Sequence, residues 1–258
     1  ALAVDPDNAN ALDWMSNISL MHDNDIETAA RYKKRAHQAG PENYEVLLGS
    51  VGTMPMYGRP DLAIGLGEYL IERDPLCIRC YLELVTPYLL LGDIASAKAQ
   101  LRDVLDLEPA NIWGKAQLGA VHLFAGELEE ALEIFTEVRT ESGDCCYPGH
   151  LEVLHDLGRQ EEFEALLPEF IENHEELGAE LIIAQLYAWI GDNDEAFRWL
   201  DTHDRENSWR IRWHLSRPWY RNLHDDPRWH ALLEQYEMTD EKLGSLDLDI
   251  RLPPGVEL

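Results

Sequence analysis

Three places in the 258-residue sequence gather side chains of the kind that do chemistry. The stretch NLHDDPRWHALLEQY, residues 222–236, sets His224, Asp225, Asp226 and His230 beside Trp229. Two imidazoles and two carboxylates are the raw material of a metal centre or an acid–base pair. Cys77 and Cys80 stand at Cys-x-x-Cys spacing, which serves redox pairs and half zinc sites. Cys145, Cys146, His150 and His155 form a third group that invites a zinc reading.

Local geometry argues against each. On a helix, His150 and His155 are turned about 140° from one another, and adjacent cysteines point apart. Cys77 and Cys80 open a helical pattern, with no second pair at zinc spacing, and read as structural thiols. Asp226 before Pro227 reads as a helix N-cap with proline at the first helical position. Trp229, Leu232, Leu233 and Tyr236 then share one buried face, so this stretch is expected to be a capping helix. No nucleophile elbow, phosphate loop, dinucleotide fingerprint or zinc-protease motif is present. The many carboxylate pairs read as exposed helical neighbours, without the burial that splits catalytic pKa values. No catalytic residue, metal or cofactor is expected, and the chain reads as a non-enzyme.

The elements that carry these residues recur. Pro41, Pro75 and Pro109 are spaced by 34 residues, as are Gly58, Gly92 and Gly126, and Ala63, Ala97 and Ala131. The glycine supplies a tight turn, the alanine lets the second helix approach the first, and the proline closes it. Each unit is therefore a helical hairpin. The best copy, from 112 to 145, places Leu118, Gly119, Gly126, Ala131 and Phe135 on the signature positions of the tetratricopeptide repeat (TPR) family, which the sequence resembles. Tyr81, Leu84, Tyr88, Gly92, Asp93, Ala97 and Pro109 repeat the match in 78–111.

That resemblance implies an all-α fold, a right-handed superhelix of stacked antiparallel hairpins, a solenoid with a C-terminal capping helix. The expected organisation is a TPR array over 1–204, with a partial repeat at 1–8 and units at 9–43, 44–77, 78–111, 112–145, 146–176 and 177–204. A Trp/Arg-rich capping segment over 205–238 and a tail over 239–258 follow. In the first unit Asn24 and Asp25 replace the turn glycine; in the second, Pro55 predicts a kink and Gly67 stands where a large residue is usual. The opening ALAVDP matches the end of a repeat, as in VLDLEP at 104–109, from which at least one further repeat upstream is expected.

A net charge of −28 excludes non-specific nucleic-acid binding, because a phosphate backbone needs a basic stripe. Residues 127–180 hold 17 Asp and Glu against Arg139 and Arg159, a solvated acidic face or a landing surface for a basic partner. No apolar run reaches membrane-spanning length. Five tryptophans and seven arginines fall between 198 and 229, a composition suited to closing a solenoid end.

By the resemblance, ligands lie in a concave groove formed by the first helix of each hairpin. Its lining here would be Met56, Leu82, Thr86, Leu89, Leu90, Trp113, Ala116, Ala120, Leu123, Phe124, Leu181, Gln185 and Trp189. The Lys/Asn clamp of some relatives is not matched, since Leu82 and Thr86, or Ala116 and Ala120, stand in its place. The lining suits an apolar or helical protein segment, with or without basic flanks. The ending PWYRNLHDDPRWHALLEQY resembles the element that closes TPR arms of bacterial winged-helix regulators and nucleotide cyclases, which implies a regulatory arm of a larger signalling or transcription-regulating protein. The alternative is a small-molecule or metal-dependent site in the His/Trp-rich cap. A cytoplasmic location is favoured, and a periplasmic one follows if an upstream part is membrane-tethered.

Overall fold

A computed structural model describes residues 1–142, 148–202 and 208–256. These are helical, without strands, and within each unit successive helices pack against one another. Cys145 and Cys146 lie outside the described residues. The chain divides into two units. One unit comprises 1–91, 204–217 and 230–258; the other comprises 92–203 and 218–229. Among the described residues no helix is long and apolar enough to cross a membrane.

The first unit contains α1 (Ala9–Met21), α2 (Ile26–Ala39), α3 (Tyr44–Thr53), α4 (Pro60–Arg73) and α5 (Ile78–Leu90). The first helix of each hairpin starts at a side-chain cap. Asn8, Asn43 and Cys77 accept the N–H of Ala11, Val46 and Cys80, satisfying a donor that the helix itself cannot. The hairpin turn needs one residue in the left-handed region, and Asn24 takes it at φ 55° where the later repeats use glycine. At Pro55 α3 gives way to a tight 3-10 turn, Met54–Tyr57, as a proline inside the helix predicts. The absence of a side chain at Gly67 has a packing reason: a Cβ there would come within 2.6 Å of the Leu84 side chain on α5.

Ala29, Ala36 and Ala63 are fully buried at the hairpin contacts, but the core of this unit is polar as well. The Lys33 ammonium donates to Asp13 Oδ1 at 2.5 Å with Lys33 wholly buried. Ser16 donates to the Ala29 carbonyl at 2.8 Å and lies 3.3 Å from the Tyr57 hydroxyl. His37 Nε2 is 2.8 Å from Ser50 Oγ.

The C-terminal stretches return to this hairpin. Helix α13 (Ser208–Leu215) packs against α1 and the 3-10 turn, and its buried Arg212 donates to Asn24 Oδ1 at 2.6 Å. In α15 (Asp240–Gly244), Lys242 donates to Glu27 at 2.5 Å, and Lys34 reaches Asp247 at 2.6 Å. The later stretch therefore lies along the start of the chain. A repeat period reports contacts between neighbours and carries no mark of this return.

The second unit contains α6 (Ile94–Leu107), α7 (Ile112–Phe124), α8 (Leu128–Ser142), α9 (Gly149–Asp156), α10 (Gln160–Glu176), α11 (Glu180–Trp189) and α12 (Asn193–Thr202). Asn111 caps α7 through Gly114 N–H at 2.7 Å. Gly126 turns the α7–α8 hairpin at φ 75°. Phe135 fills the space that Gly119 and Gly149 leave open and joins Leu123, Ala131, Val153 and Trp189 in one apolar cluster.

Candidate functional site

Polar and aromatic groups gather on α7, α9 and α11, the first helices of three successive hairpins, with α9 packed against both others. Helical spacing of four puts Glu152 and Asp156 on one face of α9, and Leu181, Gln185 and Trp189 on one face of α11. The two faces meet rung by rung. Gln185 Nε2 donates to Glu152 Oε1 at 2.9 Å, and the Trp189 indole N–H donates to both Asp156 oxygens at 3.2 Å. Phe124, at the end of α7, meets the Trp189 ring edge-on at 5.3 Å.

Residues 218–223, a 3-10 segment, lie in this arrangement against α11. The Trp219 ring packs on Phe124 at 4.7 Å. The Arg221 guanidinium stands 5.1 Å from the Phe124 ring centre and 4.8 Å from that of Trp189, a cation between two aromatic faces. The Tyr220 hydroxyl donates to the Leu181 carbonyl at 2.7 Å, and Asn222 Nδ2 donates to the carbonyls of Ala188 and Trp189 at 3.2 and 2.8 Å. The last two carbonyls lie at the C-terminal end of α11, where that of Ala188 also accepts the Gly191 N–H at 3.3 Å.

Burial dominates the electrostatics. The Glu152 carboxyl, 3% exposed, is pushed up to about 8 by burial, with the charge of Asp156 acting in the same direction and the Gln185 hydrogen bond and the Arg221 charge opposing. Burial also raises the Tyr220 phenol, with Glu152 adding to the shift. Glu152 is therefore mostly protonated near neutral pH, and the contacts of the Arg221 cation are with the Phe124 and Trp189 rings.

Sequence reasoning expected exposed carboxylates throughout, and Glu152 overturns that. The signal was available: Glu152 and Asp156 stand 33 residues before Gln185 and Trp189, one repeat earlier on the same inner face. The overall acidity of the region hid it.

Of the expected groove residues in this unit, the structure brings Ala120, Leu123, Phe124 and Trp189 into one cluster, and Leu181 and Gln185 into the polar contacts just described. Leu123, Leu181, Gln185 and Trp189 are buried, Ala116 is buried elsewhere on α7, and Trp113 is 41% exposed at its start. In the other unit Met56, Thr86 and Leu89 are buried, Leu82 is half-buried and Leu90 is exposed. Met56 sits in the 3-10 turn against which α13 packs.

The other clusters resolve into local roles. His224 stacks on Trp229 at 4.9 Å, while Asp226 binds the Arg228 side chain and accepts its backbone N–H at 3.0 Å, an N-terminal cap for α14 (Pro227–Gln235). His230 faces Glu234 at 3.3 Å. Among the described residues no group of three His, Cys, Asp or Glu is placed to hold a metal. Cys77 and Cys80, expected as thiols, form a disulfide. The reason is the helix start: Cys77 is the N-cap and Cys80 the third helical residue, the two positions a capping box brings together.

No family model matches the chain, and no curated protein sequence matches it. Among solved structures, a MamA protein is similar at 19% identity over 78% of this chain and 92% of its own, with a TM-score of 0.45. A thermophilic TPR protein of Thermus thermophilus is similar at 18% identity over 75% of this chain and 97% of its own, with a TM-score of 0.48.

Proposed function

We propose that the chain is a non-catalytic protein–protein interaction scaffold whose face on α7, α9 and α11 binds a polypeptide segment carrying an aromatic residue two positions before an arginine. The observation that supports this reading is the occupant already there: residues 218–223 of the chain itself. Trp219 covers Phe124, Arg221 lies between Phe124 and Trp189, and Tyr220 and Asn222 bond backbone carbonyls of α11. Aromatic area, a cation–π contact and backbone hydrogen bonds are the means by which grooves recognise peptides. A basic-aromatic partner also complements a chain of net charge −28. In this reading the full protein is a bacterial signalling or transcription regulator, and the repeat array is the arm that receives the partner.

A labelled peptide of sequence SRPWYRNLHDD, titrated into the full chain, tests this. Weakening the internal segment with Trp219→Ala plus Arg221→Ala should open the face and raise affinity for the peptide above wild type. Adding Phe124→Ala and Trp189→Ala should abolish it. Equal, negligible binding by wild type and the opened variant would overturn the proposal.

A further inference from the structure

The disulfide at the start of α5 has a chemistry of its own. Cys77 Sγ is the focus of two donors, the backbone N–H of Cys80 at 3.2 Å and the hydroxyl of Tyr44 at 3.3 Å. Both favour a thiolate at Cys77 over a thiol, as does the positive end of α5. The two residues differ in burial: Cys77 is 7% exposed and Cys80 not at all, so an incoming nucleophile reaches Cys77 first. Beside it stand two exposed apolar side chains, Leu76 at 72% and Tyr44 at 40%. The loop closed is the shortest of Cys-x-x-Cys type, for which the chain-entropy gain of a cross-link is small, so stapling gives a weak account of the pair.

We propose that Cys77 and Cys80 are a redox-active pair that exchanges with a protein dithiol, docked on Leu76 and Tyr44. In the reducing direction a partner thiolate attacks Cys77 Sγ, the Cys77–Cys80 bond breaks, and Cys80 leaves as a thiolate that takes up a proton. The partner's second thiolate then attacks the partner sulfur of the mixed disulfide. Cys77 departs as a thiolate held by Tyr44 and the Cys80 N–H. One disulfide is reduced and one dithiol oxidised, a two-electron exchange that balances and runs in either direction.

The test uses the full chain with Cys145→Ser and Cys146→Ser, so that only this pair reports. Serine is itself a good N-cap, so Cys77→Ser keeps the start of α5. With glutathione disulfide, reduced Cys80→Ser should form a stable mixed disulfide at Cys77 by mass spectrometry. Cys77→Ser should form little, and the parent should pass on to the internal disulfide. Tyr44→Phe should slow the exchange about fivefold, the worth of one hydrogen bond. Leu76→Asp should slow oxidation of a thioredoxin-type dithiol protein while leaving reduction by dithiothreitol unchanged. Equal labelling of the two single-cysteine variants, or a parent that never closes the internal bond, would overturn the redox pair. An unchanged rate in Leu76→Asp with the protein dithiol would overturn the docking apron.

Discussion

Gln185 and Glu152, one repeat apart, meet across α11 and α9 with a 2.9 Å hydrogen bond to a carboxyl that has lost its water. The folded-state pKa of about 8 lies above the ordinary value of 4.5, so the folded chain keeps a proton that the unfolded chain releases. Stability from this group is full below pH 4.5, falls as pH rises, and levels off above about 8. The limiting slope is about 1.4 kcal/mol per pH unit. Glu152→Gln keeps an acceptor for Gln185 and removes the titration. Urea midpoints measured across this range should decline with pH in wild type and stay flatter in the variant.

His37 acts at the other end of the scale. Burial, reinforced by the Lys33 charge, holds its imidazole down at about 3 against an ordinary 6.5. The unfolded chain takes up a proton that the folded chain refuses, so stability present above pH 6.5 is lost as pH falls toward 3. With Glu152 weakening the alkaline side, maximum stability is expected near pH 5 to 6, on the order of a unit either way. His37→Gln should flatten the acid limb of the same urea series and leave the alkaline limb in place.

The marks that announce the fold are local. Gly126 at φ 75° and Ala131, fully buried, each do within one hairpin what their spacing implies, and Asn24 fills the turn role the missing glycine vacates. The destination of the C-terminal stretch is not local. Arg212 meets Asn24 across 188 residues and Lys242 meets Glu27 across 215, and single residues of ordinary type carry no signal of such pairings. The same holds for Arg221, whose place between Phe124 and Trp189 depends on a fold-back that a Trp/Arg-rich composition suggests only as a cap. Glu152 lay within reach of the repeat register, but its acidic neighbourhood made a solvated face the simpler reading.

The Lys33–Asp13 pair tests how the polar core of the first hairpin works. Lys33 has no exposed side-chain surface and Asp13 little, so removing one partner strands the other. Lys33→Met is expected to cost about 3–5 kcal/mol by urea unfolding. Asp13→Leu combined with Lys33→Met should recover most of that loss, because no unpaired charge remains. A loss in the double variant equal to the sum of the single losses would show that the two residues do not act as a pair.

Gly149 offers a steric test of the cluster beneath the candidate face. A Cβ at this position would lie 2.1 Å from Phe135 Cζ, far inside contact distance, and the ring is wedged between Gly119 and Gly149. Gly149→Ala therefore forces the ring out of a cluster that includes Leu123 and Trp189, at a cost of about 1–3 kcal/mol. Gly126→Ala meets nothing within 4 Å and suffers only the strain of a left-handed φ, about 1–2 kcal/mol. The two are separated by a second-site change. Phe135→Leu shortens the obstructing side chain and should recover part of the loss at 149 while leaving the loss at 126 additive in thermal and urea unfolding.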